Sequence, residues 1–567
     1  MKPNLSVYAN SNETLIAWNY ANPIDNCIGF AIYKKLKGET DAMAQPLNNR
    51  VGFADETYTL GQEKPSTEWP FQRLVWSDYT VKAGDKVQYM IVPILINNGQ
   101  LVKDASNVSD WSDEVTVATG TKYQAYFNRG LVASQFFSRT NTNINSAVSK
   151  AAAKSPIKSK SKNPYSDAFK KVIDGGPSEL RDFLGGDLYL GLTGLLKAVK
   201  DNKNLSLYAA LYELKLDDFT DALSDLGKQV NLILANGTGK SPKGENADKK
   251  DENILARKKL DGKINLYDRM VNTKTRFAHN KFVVICDNDQ PVKVLTGTTN
   301  WTPDGVFAQV NNSILIDDAV LAGAYLEEWK ELKASGDDSP DDLYNLNESA
   351  KVSGDNLRAW CNPLKGLKDL TDIESLMDKA QNGILFLMFN PGPKNTVFNK
   401  VLDLLQNRPE LFIHGVMNQD PGKVKGSNPL IFFDQNGQKG TDWDVALPDH
   451  IDPQFAFWYT DPSDGLVTIH SKSIVIDPFG DNPIAITGSN NLGPKASGKN
   501  DDNFVIVNDA ALAKEYAVNI MSVYAHYRWR YSVANKKTNF KGLTKDPKWM
   551  QGYMSPSMEK QMKFLLL

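Results

Sequence analysis

Short runs of apolar and β-branched residues recur through residues 1–118 of the chain. Clusters of Gly, Asn, Asp and Pro separate these runs at the spacing of turns between the strands of a sandwich. The runs are ETLIAWNY, CIGFAIYKK, DKVQYMIVPILI and DEVTVAT. The pattern predicts a small all-β sandwich over residues 1–118.

A different pattern begins at residue 172, where segments of helical periodicity alternate with apolar runs. LYLGLTGLLKAVKD has apolar residues at helical spacing, and the runs NLSLYAALYEL, VNLILA, FVVICD and VKVLTG have the character of buried strands. Residues 351–545 repeat the order of residues 172–350, with the runs ILFLMFN, LFIHGVMN, SKSIVID and PIAITG. Continuous apolar strands between helices are typical of mixed or parallel sheets that helices cover on both faces. The sequence therefore predicts an α/β fold of two lobes, 172–350 and 351–545, related by a pseudo-two-fold axis.

Two further segments complete the expected organisation. Residues 119–171 form a connecting segment that contains the Lys-, Ser- and Pro-rich stretch SKAAAKSPIKSKSKNPYSDAFKK, and residues 546–567 form a C-terminal tail. The Lys-rich stretch is either a solvated linker or a basic flap that touches phosphate groups.

The composition is that of an ordinary globular protein, with 41% hydrophobic and 23% charged residues and a formal net charge of −2. This balance provides no overall cationic field that would favour nucleic acid, although a local basic groove stays compatible with it. No apolar run is long enough to span a bilayer, and the N-terminus lacks the apolar core of a secretory signal. We therefore expect a soluble protein that is cytoplasmic or exported by a non-classical route.

The three cysteines, Cys27, Cys286 and Cys361, lie far apart in the sequence. Their spacing matches neither a disulfide framework nor a metal site. We expect reduced thiols, with Cys286 as buried filler at the end of a strand, and we expect no metal and no cofactor.

One five-residue pattern occurs twice in the two expected lobes. The first copy consists of His279, Lys281, Gly297, Asn300 and Asn311, and the second of His470, Lys472, Gly488, Asn491 and Asp502. Counted from each His, the offsets are 2, 18, 21 and 32 in both copies. The chain has only five histidines, so a shared register at two of them indicates a duplicated half of an active site. We expect structural roles for the other three, His414, His450 and His526.

These strings resemble the paired HxK(x)4D(x)nG-[ST]-x-N motifs of the phospholipase D superfamily, over about residues 122–535. The second copy matches fully and includes Asp477 and Ser489. The first copy has Cys286 at the position of Asp477, and Thr298 replaces the Ser. Asp477 follows an apolar run, so we expect it to fix the end of a strand. The N-terminal region resembles a fibronectin type III domain through Trp18, Tyr89 and the ending WSDEVTV.

The superfamily resemblance implies a metal-independent phosphodiesterase that forms a phosphohistidine intermediate. It implies most simply a phospholipase D that releases phosphatidic acid and a free headgroup, with possible transfer to an alcohol. Its substrate would be a phospholipid at a membrane surface, and a monomer would carry both half-sites in one chain.

The residue types suit this chemistry. An imidazole can attack phosphorus or donate a proton near neutral pH. Lys281, Lys472, Asn300 and Asn491 would stabilise the charge of the transition state. Side chains alternate along a strand, so the HxK spacing places His and Lys on one face. Thr298 and Ser489 are expected to give hydrogen bonds beside the site.

The resemblance assigns His279 as the nucleophile and His470 as the acid. Two supporting residues bear on this assignment. If Asp502 pairs with His470, its carboxylate keeps that ring protonated, as suits an acid. Asn311 would then orient His279 without charging it.

Two alternatives stay open. A nuclease would use the same mechanism, with the lysines of 150–171 and 240–259 lining a nucleic-acid groove. A non-catalytic binding protein on the same fold would account for the imperfect first motif. Aromatic residues near the motifs, Trp301 and the cluster at 455–459, are either core residues or the lining of a substrate pocket.

Overall fold

The computed structural model describes residues 2–57, 62–130, 170–171, 173–237, 251–271, 276–418, 445–446, 469–534 and 542–567. The expected cluster at 455–459, His450 and most of the Lys-rich stretches at 150–171 and 240–259 lie outside the described residues.

The N-terminal region is all β. Its strands are β1 Asn4–Ala9, β2 Thr14–Asn19, β3 Cys27–Leu36, β4 Gln45–Pro46, β5 Asn48–Asn49, β6 Lys64–Pro65, β7 Val75–Asp78, β8 Lys86–Asn97, β9 Gln100–Lys103 and β10 Val115–Thr116, with a 3-10 helix at Asp41–Met43. One sheet has the order β1-β2-β7, the other has the order β10-β8-β3-β4 with β9 on β8, and β5 pairs with β6. Trp18 of β2 meets Phe30 of β3 edge-on, with ring centroids 5.6 Å apart, so the two sheets face each other across an apolar core.

The first lobe contains a seven-stranded mixed sheet. Its strands are β11 Tyr123–Phe127, β12 Leu205–Leu211, β13 Val230–Ala235, β14 Asn265–Arg269, β15 Lys281–Asp287, β16 Gln290–Gly297 and β17 Asn312–Asp317. Its helices are α1 Glu179–Asp201, α2 Asp217–Leu226, α3 Ile254–Leu260, α4 Pro303–Phe307, α5 Ala319–Ser335 and α6 Asp341–Leu346, with a 3-10 helix at Gly227–Gln229. The strand order is β11-β17-β16-β15-β12-β13-β14, in which β12, β13 and β14 run parallel and the other pairs antiparallel.

The second lobe contains an eight-stranded sheet with the same arrangement. Its strands are β18 Val352–Ser353, β19 Leu357–Cys361, β20 Gly383–Met388, β21 Phe412–Met417, β22 Val445–Ala446, β23 Lys472–Ile476, β24 Ile484–Gly488 and β25 Asn503–Asn508. Its helices are α7 Lys368–Met377, α8 Val397–Asn407, α9 Pro494–Lys499 and α10 Ala510–Ala534. The order is β18-β19-β25-β24-β23-β20-β21-β22, with β20, β21 and β22 parallel. Apart from the short edge strand β18, each strand has a counterpart in the first lobe.

Burial explains why the central strands lack an alternating pattern. All residues of β23 and all but the last of β15 are buried, because helices cover both faces of each sheet. Helices α5 and α10 contribute to one core between the lobes, while α1 and α8 contribute to separate cores on the outer faces. The fold is therefore α/β with two mixed sheets, preceded by an all-β region.

Two segments do more than connect. Strand β11 lies within the expected connecting segment, yet it pairs antiparallel with β17 and forms the edge of the first sheet. The end of the chain forms a 3-10 helix, Pro547–Met554, and helix α11, Pro556–Leu565. The hydroxyl of Tyr8 donates to the carbonyl of Leu565 at 2.9 Å, and Phe564 stacks on Phe412 with centroids 4.6 Å apart. The tail thus joins the N-terminal region to the second lobe.

Across the described parts of the chain, no helix has both the length and the apolar character that crossing a membrane requires.

Candidate active site

The two HxK motifs lie where the lobes meet. Lys281 is the first residue of β15 and Lys472 the first of β23, so each His lies two residues before its strand. The backbone N–H of His279 donates to the carbonyl of Asp501 at 2.9 Å, and that of His470 donates to the carbonyl of Val310 at 3.0 Å. The backbone of the opposite lobe therefore holds each His. The sequence predicted instead that each His would lie within the same strand as its Lys.

The supporting side chains are crossed between the lobes. Nδ1 of His279 lies 2.7 Å from Oδ1 of Asp502, and Nδ1 of His470 lies 2.9 Å from Oδ1 of Asn311. The expectation that Asp502 pairs with His470, and Asn311 with His279, is therefore wrong.

Backbone bridges between the lobes explain the crossing. Ala278 bridges Asp501, and Val310 bridges Ile469, each in parallel sense. His279 follows Ala278 and therefore faces Asp502, which follows Asp501. In the same way, Asn311 faces His470. Sequence offsets alone gave no information on which copy would supply the neighbour.

The hydroxyls of the motifs complete these contacts. Thr298 donates to Oδ1 of Asn311 at 2.7 Å, and Ser489 donates to Oδ1 of Asp502 at 2.6 Å. Both hydroxyls are buried and act on the supporting residue, not on the His. They hold the oxygen that each ring nitrogen contacts.

The motif glycines are required for space. At Gly297, where φ is +147°, an added Cβ would lie 2.5 Å from the carbonyl oxygen of Asn312 and 2.7 Å from Cα of Ser313. At Gly488 an added Cβ would overlap the carbonyl of Asn503 on the neighbouring strand. Each glycine thus lets the strand before it approach the strand that follows Asn311 or Asp502.

The two lysines have matching surroundings. Lys281 Nζ donates to the carbonyl of His279 at 2.7 Å and lies 4.8 Å from the ring centroid of Tyr212. Lys472 donates to the carbonyl of His470 and lies 4.7 Å from the ring centroid of Phe389. Both ammonium groups are buried. The same aromatic rings also contact the two imidazoles, at centroid distances of 4.7 and 4.8 Å.

Burial and mutual repulsion destabilise the charged forms of these bases. Burial, and then Lys281, lower the pKa of His279 to about 4, against the opposite effect of Asp502. Burial lowers the pKa of Lys281 to about 7. Burial and a neighbouring lysine hold the pKa values of His470 and Lys472 well below their ordinary values. Burial acts to raise the pKa of Asp502, but His279 and Lys281 outweigh it and lower the pKa. A cluster of buried bases of this kind is complementary to an anion, which would restore their protons.

The motif amides differ between the two halves. Nδ2 of Asn300 donates to Oε2 of Glu213 at 2.8 Å. Oδ1 is buried and has no hydrogen-bond partner within the described residues in both Asn300 and Asn491, so the difference lies in the contact that Glu213 makes with the nitrogen of Asn300. The sequence did not single out Glu213, because the repeat has Asn390 at the corresponding place.

A second pair of asparagines ties the lobes together. Asn312 and Asn503 follow Asn311 and Asp502 directly. Asn312 bonds to residues of the second lobe: Ser471, Ser473, Thr487 and Tyr516. Asn503 bonds to residues of the first lobe: Asn280, Thr296 and Tyr325. Both lie 33 residues after their His, so the repeat did contain this signal. A buried polar network of this kind favours one relative placement of the lobes.

Several other expectations concern residues beside the site. Asp477 accepts hydrogen bonds from the backbone N–H groups of residues 381–383 at 2.7 to 2.9 Å, which confirms that it fixes the strand end. Cys286 is fully buried, as expected of filler, and Cys27 and Cys361 are also buried free thiols. Trp301 packs edge-on against Phe219 at 5.0 Å between centroids, and it belongs to the buried core of the first lobe, the first of the two alternatives.

Of the histidines outside the motifs, the structure describes two. His414 stacks on Phe412 at 3.8 Å between centroids, and His526 lies on α10. In the part of the Lys-rich loop that the structure describes, Lys259 pairs with Asp221 at 2.5 Å. Within the described residues, no group of three or more His, Cys, Asp or Glu side chains could hold a metal ion.

No protein-family model and no curated protein matches this sequence. Among solved structures, the chain is similar to the phosphatidylserine synthase of Haemophilus influenzae, with 14% identity and a TM-score of 0.38 over 66% of this chain and 90% of that one. It is similar to the polyphosphate kinase of Porphyromonas gingivalis, with 12% identity and a TM-score of 0.36 over 57% of this chain and 44% of that one. The chain thus spans less than half of that kinase. It is also similar to Nuc of Salmonella typhimurium, named a phospholipase D family member, with 22% identity and a TM-score of 0.20 over 26% of this chain and 90% of that one.

Proposed function

We propose that this chain is a phosphodiester-cleaving enzyme of the phospholipase D superfamily that works through a covalent phosphohistidine. The crossed hydrogen bonds of His279 and His470 are the observation that carries this proposal. They place two buried imidazoles, each with its lysine, at one interface and fix the tautomer of each ring.

The hydrogen-bond partners define the tautomers. Asp502 is an acceptor, so Nδ1 of His279 carries the hydrogen and Nε2 keeps its lone pair. Asn311 Nδ2 donates to the carbonyl of Gly305 at 2.9 Å, which leaves Oδ1 as the acceptor for His470. Nδ1 of His470 therefore also carries a hydrogen, and its Nε2 is the atom that can gain or lose a proton.

This arrangement supports the following roles. Nε2 of His279 attacks phosphorus, and the bond to the leaving alkoxide breaks as His470 gives that oxygen its proton. Positive charge develops on the ring of His279, and the buried carboxylate of Asp502 stabilises it. His470 then removes a proton from water, the hydroxide displaces phosphorus from His279, and both imidazoles return to their starting state.

The neutral amide of Asn311 does not give His470 the support that a carboxylate beside the acid would have given. It orients His470 but adds no charge, so the protonation of that ring depends on the substrate. A bound phosphodiester anion would favour the imidazolium form of His470, and departure of the product would favour loss of that proton. Lys281, Lys472, Asn300 and Asn491 would hold the non-bridging oxygens.

The substrate proposed is a phospholipid at a membrane surface, which a monomer would cleave to phosphatidic acid and a free headgroup. The near-neutral net charge of −2 supports a lipid over a polyanion. We propose in addition that the N-terminal region is a fibronectin type III-like module. The β1-β2-β7 sheet that faces the β10-β8-β3-β4 sheet supports this.

A paired assay in EDTA tests the proposal. Wild type, His279→Ala and Asp287→Asn would be given mixed phospholipid vesicles in one tube, and plasmid with single-stranded DNA in another. We expect release of headgroup by wild type and by the Asp287→Asn control, and none by His279→Ala. DNA cleavage that depends on His279, with lipid untouched, would move the substrate to nucleic acid. Absence of any His279-dependent cleavage would contradict the enzyme proposal and favour a binding protein.

A further inference from the structure

Glu213 lies beside the first half-site without belonging to the repeated motif. It follows β12 by two residues, and its backbone carbonyl accepts from the N–H of Trp301 at 3.1 Å, next to Asn300. Its side chain is 10% exposed. Oε2 accepts from Nδ2 of Asn300 at 2.8 Å, and Oε1 accepts from Lys215 at 3.0 Å. A buried carboxylate therefore touches one of the motif amides directly.

The amide of Asn300 has one favourable orientation as a result. A carboxylate accepts hydrogen bonds only, so it selects the nitrogen and repels the oxygen of an amide. The nitrogen carries two hydrogens, and Glu213 uses one of them. Among the described residues the second has no partner, so it can serve a phosphoryl oxygen.

The second lobe has no charge at the equivalent position. Leu211 pairs with Lys281 in the first sheet and Met388 pairs with Lys472 in the second, so Glu213 corresponds to Asn390. Oδ1 of Asn390 is buried and has no hydrogen-bond partner among the described residues. The duplicated scaffold is thus charged at one copy of this position and neutral at the other.

Within the described residues, two carboxylates lie at the half-site of His279. Asp502 contacts His279, and both Asp502 and Glu213 oppose the loss of the proton from Lys281, whose pKa is about 7. At Lys472, Asp502 is the one carboxylate among the described residues that acts in this direction, and the pKa of Lys472 lies well below its ordinary value. Around them, His470 meets the charges of Lys281 and Lys472, and Lys495 meets that of Asp502. Tyr212 and Lys215 meet the charges of Glu213 and Glu252.

We propose that Glu213 is a positioning residue that makes the two half-sites unequal. It orients the amide of Asn300 and adds a negative charge near Lys281. Lys281 therefore stays protonated more readily and binds the non-bridging oxygens at the half-site of His279. The half-site of His470, which has the neutral Asn390 at the equivalent position, is left to exchange a proton with the leaving group and with water. This inference rests on the proposed function and adds a residue to the same site.

Anion binding tests the proposal without requiring turnover. Sulfate stays divalent between pH 5.5 and pH 9, so calorimetric titration of sulfate into the full-length protein reports the charge of the site alone. For wild type we expect the affinity to fall as the pH rises through about 7, where Lys281 loses its proton. In Glu213→Gln the fall should move to lower pH by about one unit, because a nearby carboxylate favours the protonated lysine.

The matched control is Glu252→Gln. Lys215 bridges both acids, and Glu252 lies 2.7 Å from its Nζ, so this change disturbs the same ion-pair network while Glu213 keeps its charge. We expect its profile to match that of wild type. The reciprocal variant Asn390→Asp adds a carboxylate to the second half-site, and sulfate affinity should then persist to higher pH.

The outcomes separate this proposal from the proposed function. If wild type binds sulfate and cleaves a phosphodiester, but Glu213→Gln and Asn390→Asp both keep the wild-type profile, the role of Glu213 is wrong and the function stands. If wild type binds no sulfate at any pH, the anion site itself is wrong and this proposal fails with it. Should Glu213→Gln not fold, Asn390→Asp alone decides the matter.

Discussion

The carboxylate of Asp502, in the second lobe, lies 2.7 Å from Nδ1 of His279, in the first. The reciprocal contact, from Asn311 to His470, uses an amide at 2.9 Å. The duplicated scaffold therefore supports its two histidines with different chemistry. In the account given above, this difference separates the nucleophile from the acid.

The charge of Asp502 should matter more than its hydrogen bond. We expect Asp502→Asn to lower kcat by about 100-fold or more, with a smaller change in KM, because a neutral amide cannot stabilise charge that develops on His279. Steady-state kinetics of the purified variant measure this. Asp287→Asn, which changes an acid outside the site, should behave as wild type. A wild-type kcat for Asp502→Asn would remove the proposed reason for assigning His279 as nucleophile.

The motif carboxylate Asp477 should affect stability and not chemistry. It accepts from the three backbone N–H groups of residues 381–383, where β20 begins, so Asp477→Ala should lower the free energy of unfolding by about 1–3 kcal/mol. Turnover per folded molecule should stay at the wild-type level. Urea unfolding and an assay at low temperature give the two quantities. Lost turnover at unchanged stability would make Asp477 a participant in the reaction.

Gly488 should tolerate no side chain. An added Cβ would overlap the backbone of Asn503 and displace the strand that follows Asp502, so Gly488→Ala should destabilise the protein by about 1–3 kcal/mol and reduce activity. Gly498→Ala is the matched control, because its Cβ would lie 3.9 Å from the nearest heavy atom, the carbonyl oxygen of Leu364. Melting temperatures of the two variants compare them. Equal melting temperatures would show that the motif glycine is not required for space.

Buried acids at the junction of the three units should make stability depend on pH. Burial raises the pKa of Glu515 to about 8, and the pKa values of Glu13 and Asp187 to about 7. A raised acid pKa in the folded state gives stability that is full below the unfolded pKa, near 4, and is lost as the pH rises through the folded pKa. Glu515→Gln keeps an acceptor for the N–H of Gly120, now 3.0 Å from Oε1, but cannot ionise.

The measurement is the difference in unfolding free energy between Glu515→Gln and wild type across pH. The unfolding free energy of the variant, relative to that of wild type, should increase between about pH 4 and pH 8, by on the order of 1–3 kcal/mol. Other buried groups titrate equally in both proteins and cancel. A difference that does not change with pH would contradict the raised pKa of Glu515.

Much of the fold followed from the sequence because the central strands are buried on both faces. Runs such as FVVICD and SIVID are continuous and apolar, and their order repeats with the motifs. The sequence did not predict strand β1, because its residues are partly exposed and include no continuous apolar run. Strand β11 has an alternating burial pattern but lies in a segment whose Lys-rich end resembled a linker.

The site was predicted as a set of residues but not as a set of contacts. A repeat in one sequence identifies equivalent positions, yet it does not show whether Asp502 faces its own His or that of the other lobe. Glu213 could not be found in this way, because its counterpart is Asn390 and the repeat conceals any residue that differs between the copies. The pairing depends on backbone bridges between segments more than 150 residues apart, such as Val310 with Ile469.

Direct detection of the covalent intermediate tests the central claim. In His470→Ala the step that activates water should slow, while an activated diester such as bis(p-nitrophenyl) phosphate needs no proton on its leaving group. Rapid quenching at alkaline pH and peptide mass spectrometry would then locate the adduct. The account predicts a nitrophenyl phosphoryl group on the peptide of His279 and none in His279→Ala. An adduct on His470 in His279→Ala, or turnover by wild type without any adduct on His279, would contradict it.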